Sequence, residues 1–113
     1  MLVVIGGAIL CLPLLRQRNG HVTLSNTTGE VIERIQIAVC RQEFVLDSLG
    51  PGDSRTVTFR IRGDSHYNVS IRFSSGRSIN KELGYVTSGV DVADTLLIEE
   101  TGVLLADHTG PPR

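Results

Sequence analysis

The sequence predicts an all-β protein, an antiparallel β-sandwich of seven or eight short strands preceded by a short apolar N-terminal segment read as a helix. Three observations lead there. From His21 onward apolar and polar residues alternate with period two, which sends successive side chains to opposite faces of a strand. The alternating stretches are short, and clusters of Gly, Asn, Asp and Ser separate them. Beyond the apolar start, no long window keeps a helical period.

The first element, residues 1–18, holds an uncharged run from Leu2 to Leu15 followed by Arg16 and Arg18. A bilayer-spanning helix needs about 20 apolar residues, so the run is short, although Met1 and the neutral flank lengthen it. A secretory signal would carry a basic start and a small-residue cleavage site, which are missing, and Leu10 before Cys11 does not suit a lipoprotein signal. As a buried strand of a soluble fold the run is far longer than a typical strand, and it would expose much apolar area unless two strands turned at Gly6-Gly7. Residues 1–15 are therefore read as a single-pass membrane anchor in contact with the lipid bilayer, with a cleaved signal and a buried core element as alternatives.

Residues 19–108 form the sandwich domain, with strands expected at His21–Ser25, Ile32–Cys40, Glu43–Leu49, Arg55–Arg62, His66–Ser74, Gly84–Ser88, Thr95–Glu99 and Val103–Ala106. Turn signals separate them at Asn26-Thr27-Thr28-Gly29, Gly50-Pro51-Gly52-Asp53, Gly63-Asp64 and Ser74-Ser75-Gly76. The clearest pair sets Thr56–Arg62 against Tyr67–Phe73 as an antiparallel hairpin. Val57, Phe59 and Ile61 would meet Tyr67, Val69, Ile71 and Phe73 on its buried face. Residues 109–113 are read as a disordered tail, and His108 as part of a frayed end.

Over residues 21–76 the chain resembles the bacterial immunoglobulin-like modules related to fibronectin type III, including the cell-adhesion-related domain of bacterial surface proteins. The stretches HVTLSNTTGEVIERIQIAV, LGPGDSRTVTF and YNVSIRFSSG carry the resemblance. It implies an immunoglobulin-like sandwich acting as a binding or spacer module, with no catalytic residues to transfer. About thirty further residues, from Arg77 onward, add two or three strands beyond where such a module ends.

Twelve acidic and eleven basic residues leave a net charge of -1, which is no field for nucleic acid. His21, His66 and His108 are scattered, with no nucleophile elbow, phosphate loop or paired metal-ligand spacing nearby, so no enzyme, cofactor or metal is expected. Asp91 and Asp94, with Glu99 and Glu100 beyond, are too few for a calcium loop and are read as a solvated loop before a strand. Arg60, Arg62 and Arg72 fall on the wet face of the expected hairpin, where they could form a small anion-binding patch or pair with Glu33, Glu43 or Asp47. Phe44 and Tyr85 are candidates for an exposed aromatic contact with a protein partner. Arg62-Gly63-Asp64 spells an integrin-recognition tripeptide, but Gly-Asp is also what a tight turn needs, and the turn reading is preferred. Of the two glycosylation sequons, Asn26 in a turn is the better acceptor position and Asn68 in a strand the poorer.

The function expected is a non-enzymatic, membrane-anchored module that binds a protein partner, with a structural or spacer subunit of a membrane assembly as the alternative. Arg16 and Arg18 favour a cytoplasmic domain by the positive-inside rule, whereas the resemblance to surface modules favours the exterior, which is the orientation adopted.

Overall fold

A computed structural model describes residues 19–87 and 91–109, and the expected N-terminal helix and most of the expected tail lie outside them. Within them are eight strands: β1 (Asn19–Asn26), β2 (Ile32–Val39), β3 (Gln42–Leu49), β4 (Ser54–Arg60), β5 (Ser65–Phe73), β6 (Ser78–Val86), β7 (Val92–Glu99) and β8 (Gly102–Thr109). They form two four-stranded sheets, ordered β4-β1-β7-β8 and β3-β2-β5-β6. Every pairing is antiparallel except β1 with β7, which is parallel.

The sandwich expected from the alternation is present, and the inward positions fill its core: Val22 and Leu24 from β1, Ile35 and Ile37 from β2, Val69 and Ile71 from β5, Leu96 and Ile98 from β7. The connectivity differs from an immunoglobulin constant domain, whose first two strands share a sheet. Here β1 and β2 lie in opposite sheets.

The expected hairpin of Thr56–Arg62 with Tyr67–Phe73 does not form. β4 pairs with β1, Val22 opposite Val57, whereas β5 sits between β2 and β6. The chain crosses between the sheets over Ile61–Asp64, the four residues that separate the two strands. At up to about 3.5 Å per residue they span the roughly 10 Å between packed sheets. The side-chain facing was nonetheless as expected. Phe59 and Tyr67 both point into the core, where their rings meet edge to face across the sandwich at 5.9 Å and 87°. Alternation reports which face is buried, and it is silent about which strand lies alongside.

Two glycines make room for these rings. A Cβ on Gly20 would lie 2.2 Å from the Phe59 ring, and one on Gly84 would lie 2.8 Å from that of Tyr67. Gly84 also has φ +75°, a conformation that favours glycine, and stands where the β5–β6 register shifts. β6 starts at Ser78, six residues before the strand expected at Gly84–Ser88. As an edge strand, β6 buries only part of Ile79 and Leu83 along its inward side, so its alternation is weak in sequence.

The sandwich closes along both edges. β6 runs beside β8, and β3 beside β4. At the second seam the Gln42 amide substitutes for a ladder strand: Nε2 donates to the Arg60 carbonyl at 2.7 Å, and Oε1 accepts the Arg60 N–H at 3.0 Å. Such capping limits pairing with another chain.

At one end Asn26 joins three segments. Its Nδ2 donates to the Glu30 and Leu49 carbonyls, and its Oδ1 accepts from the Thr28 hydroxyl and N–H. The Asn26 backbone meanwhile bonds Gly52 and Asp53 of the β3–β4 turn. A fully buried amide with both donors engaged is no glycosylation acceptor, so the expected preference for Asn26 is reversed; Asn68 is the exposed sequon.

The β2–β3 turn carries no turn signal in the sequence. Cys40 and Arg41 have φ of +50° and +61°, the signature of a two-residue type I′ turn, without the usual Asn or Gly. The Cys40 thiol side is buried, and its N–H donates to Ser65 Oγ at 2.9 Å, which ties the turn to β5.

Arg41→Gly should stabilise the protein by about 0.5–1 kcal/mol, because left-handed strain of about 1–2 kcal/mol is relieved against glycine's added chain entropy. A rise in the urea midpoint at constant slope is the measurement. Gly84→Ala should cost more than about 2 kcal/mol in the same assay, from strain and overpacking together.

Candidate functional site

The three arginines singled out in sequence do not come together. Arg60 is on the outward face of β4 and Arg62 in the exposed crossover between the sheets, whereas Arg72 is on the outward face of β5 in the other sheet. The patch was inferred from a hairpin that does not exist, so it is absent as drawn. Arg72 instead stands directly opposite Arg34 of β2.

These two arginines border a shallow depression of about 270 Å³ on the outer face of the β3-β2-β5-β6 sheet, lined also by Gln36, Ser70, Ser78 and Asn80. The ladder register builds it: Arg34, Arg72 and Ser78 form one row across the strands, and Gln36, Ser70 and Asn80 the next. Like charges directly opposed across a strand pair repel. Two flanking carboxylates offset this, with Arg34 Nε 3.9 Å from Asp47 and Arg72 Nε 3.9 Å from Glu33. Glu33 is the partner expected for Arg72. It occupies a bulge where β2 changes phase, so that Glu33 and Arg34 both face outward. All four side chains are more than half exposed, and each pair contributes about 0–1 kcal/mol. Among the described residues, neither guanidinium is within hydrogen-bonding distance of an acceptor. Arg34 escaped the sequence reading because it became a neighbour of Arg72 only through β2–β5 pairing.

Phe44 is not an exposed contact. It points inward from β3 and is half-buried against the core, so this expectation is corrected. Tyr85 is exposed at 38%, on the outer side of β6. Its hydroxyl donates to Asp64 Oδ2 at 2.9 Å, and its ring meets His66 edge-on at 5.5 Å; His66 lies 3.7 Å from Glu82. The hydrogen bond to Asp64, with burial adding, pushes the Tyr85 phenol above its ordinary value. The carboxylate of Arg62-Gly63-Asp64 is thus already engaged.

Among the described residues, the most buried carboxyl group is one the sequence reading places in solvent. Asp94 is inside β7 with its side chain fully covered, in phase with Val92, Leu96 and Ile98. That phase was the available signal. Tyr67 of the opposite sheet donates its hydroxyl to Asp94 Oδ2 at 2.6 Å, and His108 of β8 contacts Oδ1 through Nδ1. His108 therefore belongs to a paired strand and not to a frayed end. The cluster is a polar clasp between the sheets, because a buried carboxylate needs such partners to offset its desolvation.

At the end that holds Asn26, Arg77 lies 4.0 Å over the Phe73 ring and bridges Glu30 at 3.2 Å and Glu100 at 3.4 Å. A hydrogen bond from Ser75, with Arg77 beside it, holds the Glu30 carboxyl below its ordinary value. Among the described residues no group of three or more His, Cys, Asp and Glu is placed to hold a metal. No helix among them is long and apolar enough to cross a membrane.

No family model and no curated protein matches the chain. Solved structures do. A protein from Eubacterium rectale, determined by NMR, is similar at 18% identity and TM-score 0.61, covering 80% of this chain and 90% of that one. A Bacteroides ovatus protein named "putative cell adhesion protein" is similar at 9% identity and TM-score 0.51, covering 82% of this chain and 44% of that one. At these identities the likeness shows the fold alone, a β-sandwich, and the chain spans under half of the Bacteroides protein.

Tyr67→Phe should cost about 1.5–3 kcal/mol, the range for a hydrogen bond to a charged group, as read by denaturant unfolding. Glu30→Gln should destabilise the protein at neutral pH, with the difference from wild type shrinking in acid. The folded Glu30 carboxyl titrates below its unfolded value of 4.5. Its contribution is therefore present above that value and lost as pH falls through the folded one. Thermal melts from pH 7 to pH 3 measure the effect.

Proposed function

We propose that the protein is a non-enzymatic β-sandwich module that binds a protein partner, held at the outer side of a membrane by its apolar residues 1–15. The observation that carries the reading is the open outer face of β3-β2-β5-β6. It is a solvent-facing surface with two arginines and a row of amide and hydroxyl side chains. Its polarity and shallowness suit contact with another macromolecule better than enclosure of a substrate. The similarity in fold to a Bacteroides ovatus protein named for cell adhesion points to the same class. The uncharged run from Leu2 to Leu15 supplies the anchor.

Fractionation of the tagged full-length chain, with protease added from each side of the membrane, tests the display. The sandwich should sediment with membranes and be digested only by protease added outside. Intact full-length chain in the soluble fraction, or digestion only from the cytoplasmic side, would overturn it.

A further inference from the structure

Three features could carry more than structure: the Tyr67–Asp94–His108 clasp, the Tyr85–Asp64–His66 corner, and the Arg34/Arg72 depression. The clasp is sealed, with the Asp94 side chain fully covered, so no ligand reaches its centre. The corner is occupied by its own contacts. Of the three, the depression combines open space with donors that have no acceptor at hydrogen-bonding distance among the described residues.

We infer that the Arg34/Arg72 depression is the docking point for an acidic segment of the protein partner, taking a Glu or Asp side chain between the two guanidinium groups; this rests on the partner-binding reading above. Charge complementarity is the first argument. Each guanidinium offers five N–H donors and no acceptor. Neither is within hydrogen-bonding distance of an acceptor among the described residues. The β2–β5 register sets the two residues directly opposite each other, a like-charge arrangement that an inserted carboxylate relieves. Size is the second. At about 270 Å³ and open to solvent, the depression falls just below the range of about 300–1,000 Å³ typical of small-molecule sites, and has room for an acidic side chain together with part of the segment that carries it. Gln36 and Asn80, in the next row, offer amide groups to the backbone of an extended segment on one side of that anchor.

Glu33 and Asp47 act as weak intramolecular competitors. Each holds its arginine only at 3.9 Å through Nε, so a bidentate carboxylate replaces a poorer contact with a better one. The exchange makes docking sensitive to salt.

The test uses the full chain in neutral detergent micelles and a fluorescent hexaglutamate peptide, with hexalysine and dextran sulfate as comparisons. Hexaglutamate should bind saturably and weaken as salt rises, while hexalysine does not bind. Arg34→Gln with Arg72→Gln should reduce hexaglutamate affinity at least tenfold. Asn80→Trp, which fills the depression and keeps both charges, should do the same. Glu33→Gln with Asp47→Asn should instead tighten binding several-fold. Undiminished binding in the arginine or tryptophan variant overturns the inference, as does weaker binding without the two carboxylates. Dextran sulfate binding that needs both arginines, with no hexaglutamate binding, overturns it in favour of a sulfated glycan. Any of these results leaves the membrane display untouched, and a failure of the fractionation experiment leaves the chemistry of the depression standing, so the two readings fail separately.

Discussion

The contact between Phe59 and Tyr67 across the core is the constraint from which most of the structure follows. One ring comes from each sheet, and each occupies the space that a missing side chain leaves, above Gly20 for Phe59 and beside Gly84 for Tyr67. Interiors pack at crystal-like density, so two large rings meeting edge to face set the separation of the sheets locally and leave little freedom to slide. The same tyrosine reaches past the ring contact to Asp94. Its hydroxyl therefore converts an apolar crossing into a polar one with a preferred direction, and β7 and β8 are drawn into place through Asp94 and His108.

The two ends and the seams solve a different problem, which is where backbone polar groups go when strands stop. Asn26 answers it at one end by donating to the carbonyls of Glu30 in the β1–β2 loop and Leu49 at the end of β3, and Gln42 answers it at the β3–β4 seam by acting as a one-residue strand. Burying such groups unpaired costs about 1–3 kcal/mol each. The strained Cys40-Arg41 turn fits the same logic, because the hydrogen bond from its backbone to Ser65 and the burial of Cys40 pull against the left-handed conformation. This closed frame leaves the outer face of β3-β2-β5-β6 free of structural duty. That freedom is what allows arginines to stand opposite each other there.

The sandwich was legible before any coordinates. Alternation in RTVTFR and HYNVSIRF identified the buried faces of β4 and β5 correctly, and turn chemistry bounded most strands. What failed was the inference that set β4 beside β5. Arg60, Arg62 and Arg72 were grouped through a hairpin, and they separated when the chain crossed between sheets at Ile61–Asp64. Asp94 was read from the company of Asp91, although its phase with Val92, Leu96 and Ile98 already placed it inside. β6 was half missed because an edge strand carries little hydrophobic alternation.

The sequence by itself determined the all-β class, the inward faces of β4 and β5 and the positions of most turns. These depend on period-two alternation and on the local conformational limits of Gly, Asn and Pro. The tertiary structure alone decided strand order, the parallel β1–β7 pair, the Tyr67–Asp94–His108 clasp and the meeting of Arg34 with Arg72. A strand's period says which side chains are buried, but it is the packing of two sheets that selects its neighbours, because pairing energies are similar for many registers and shape complementarity in the core is not.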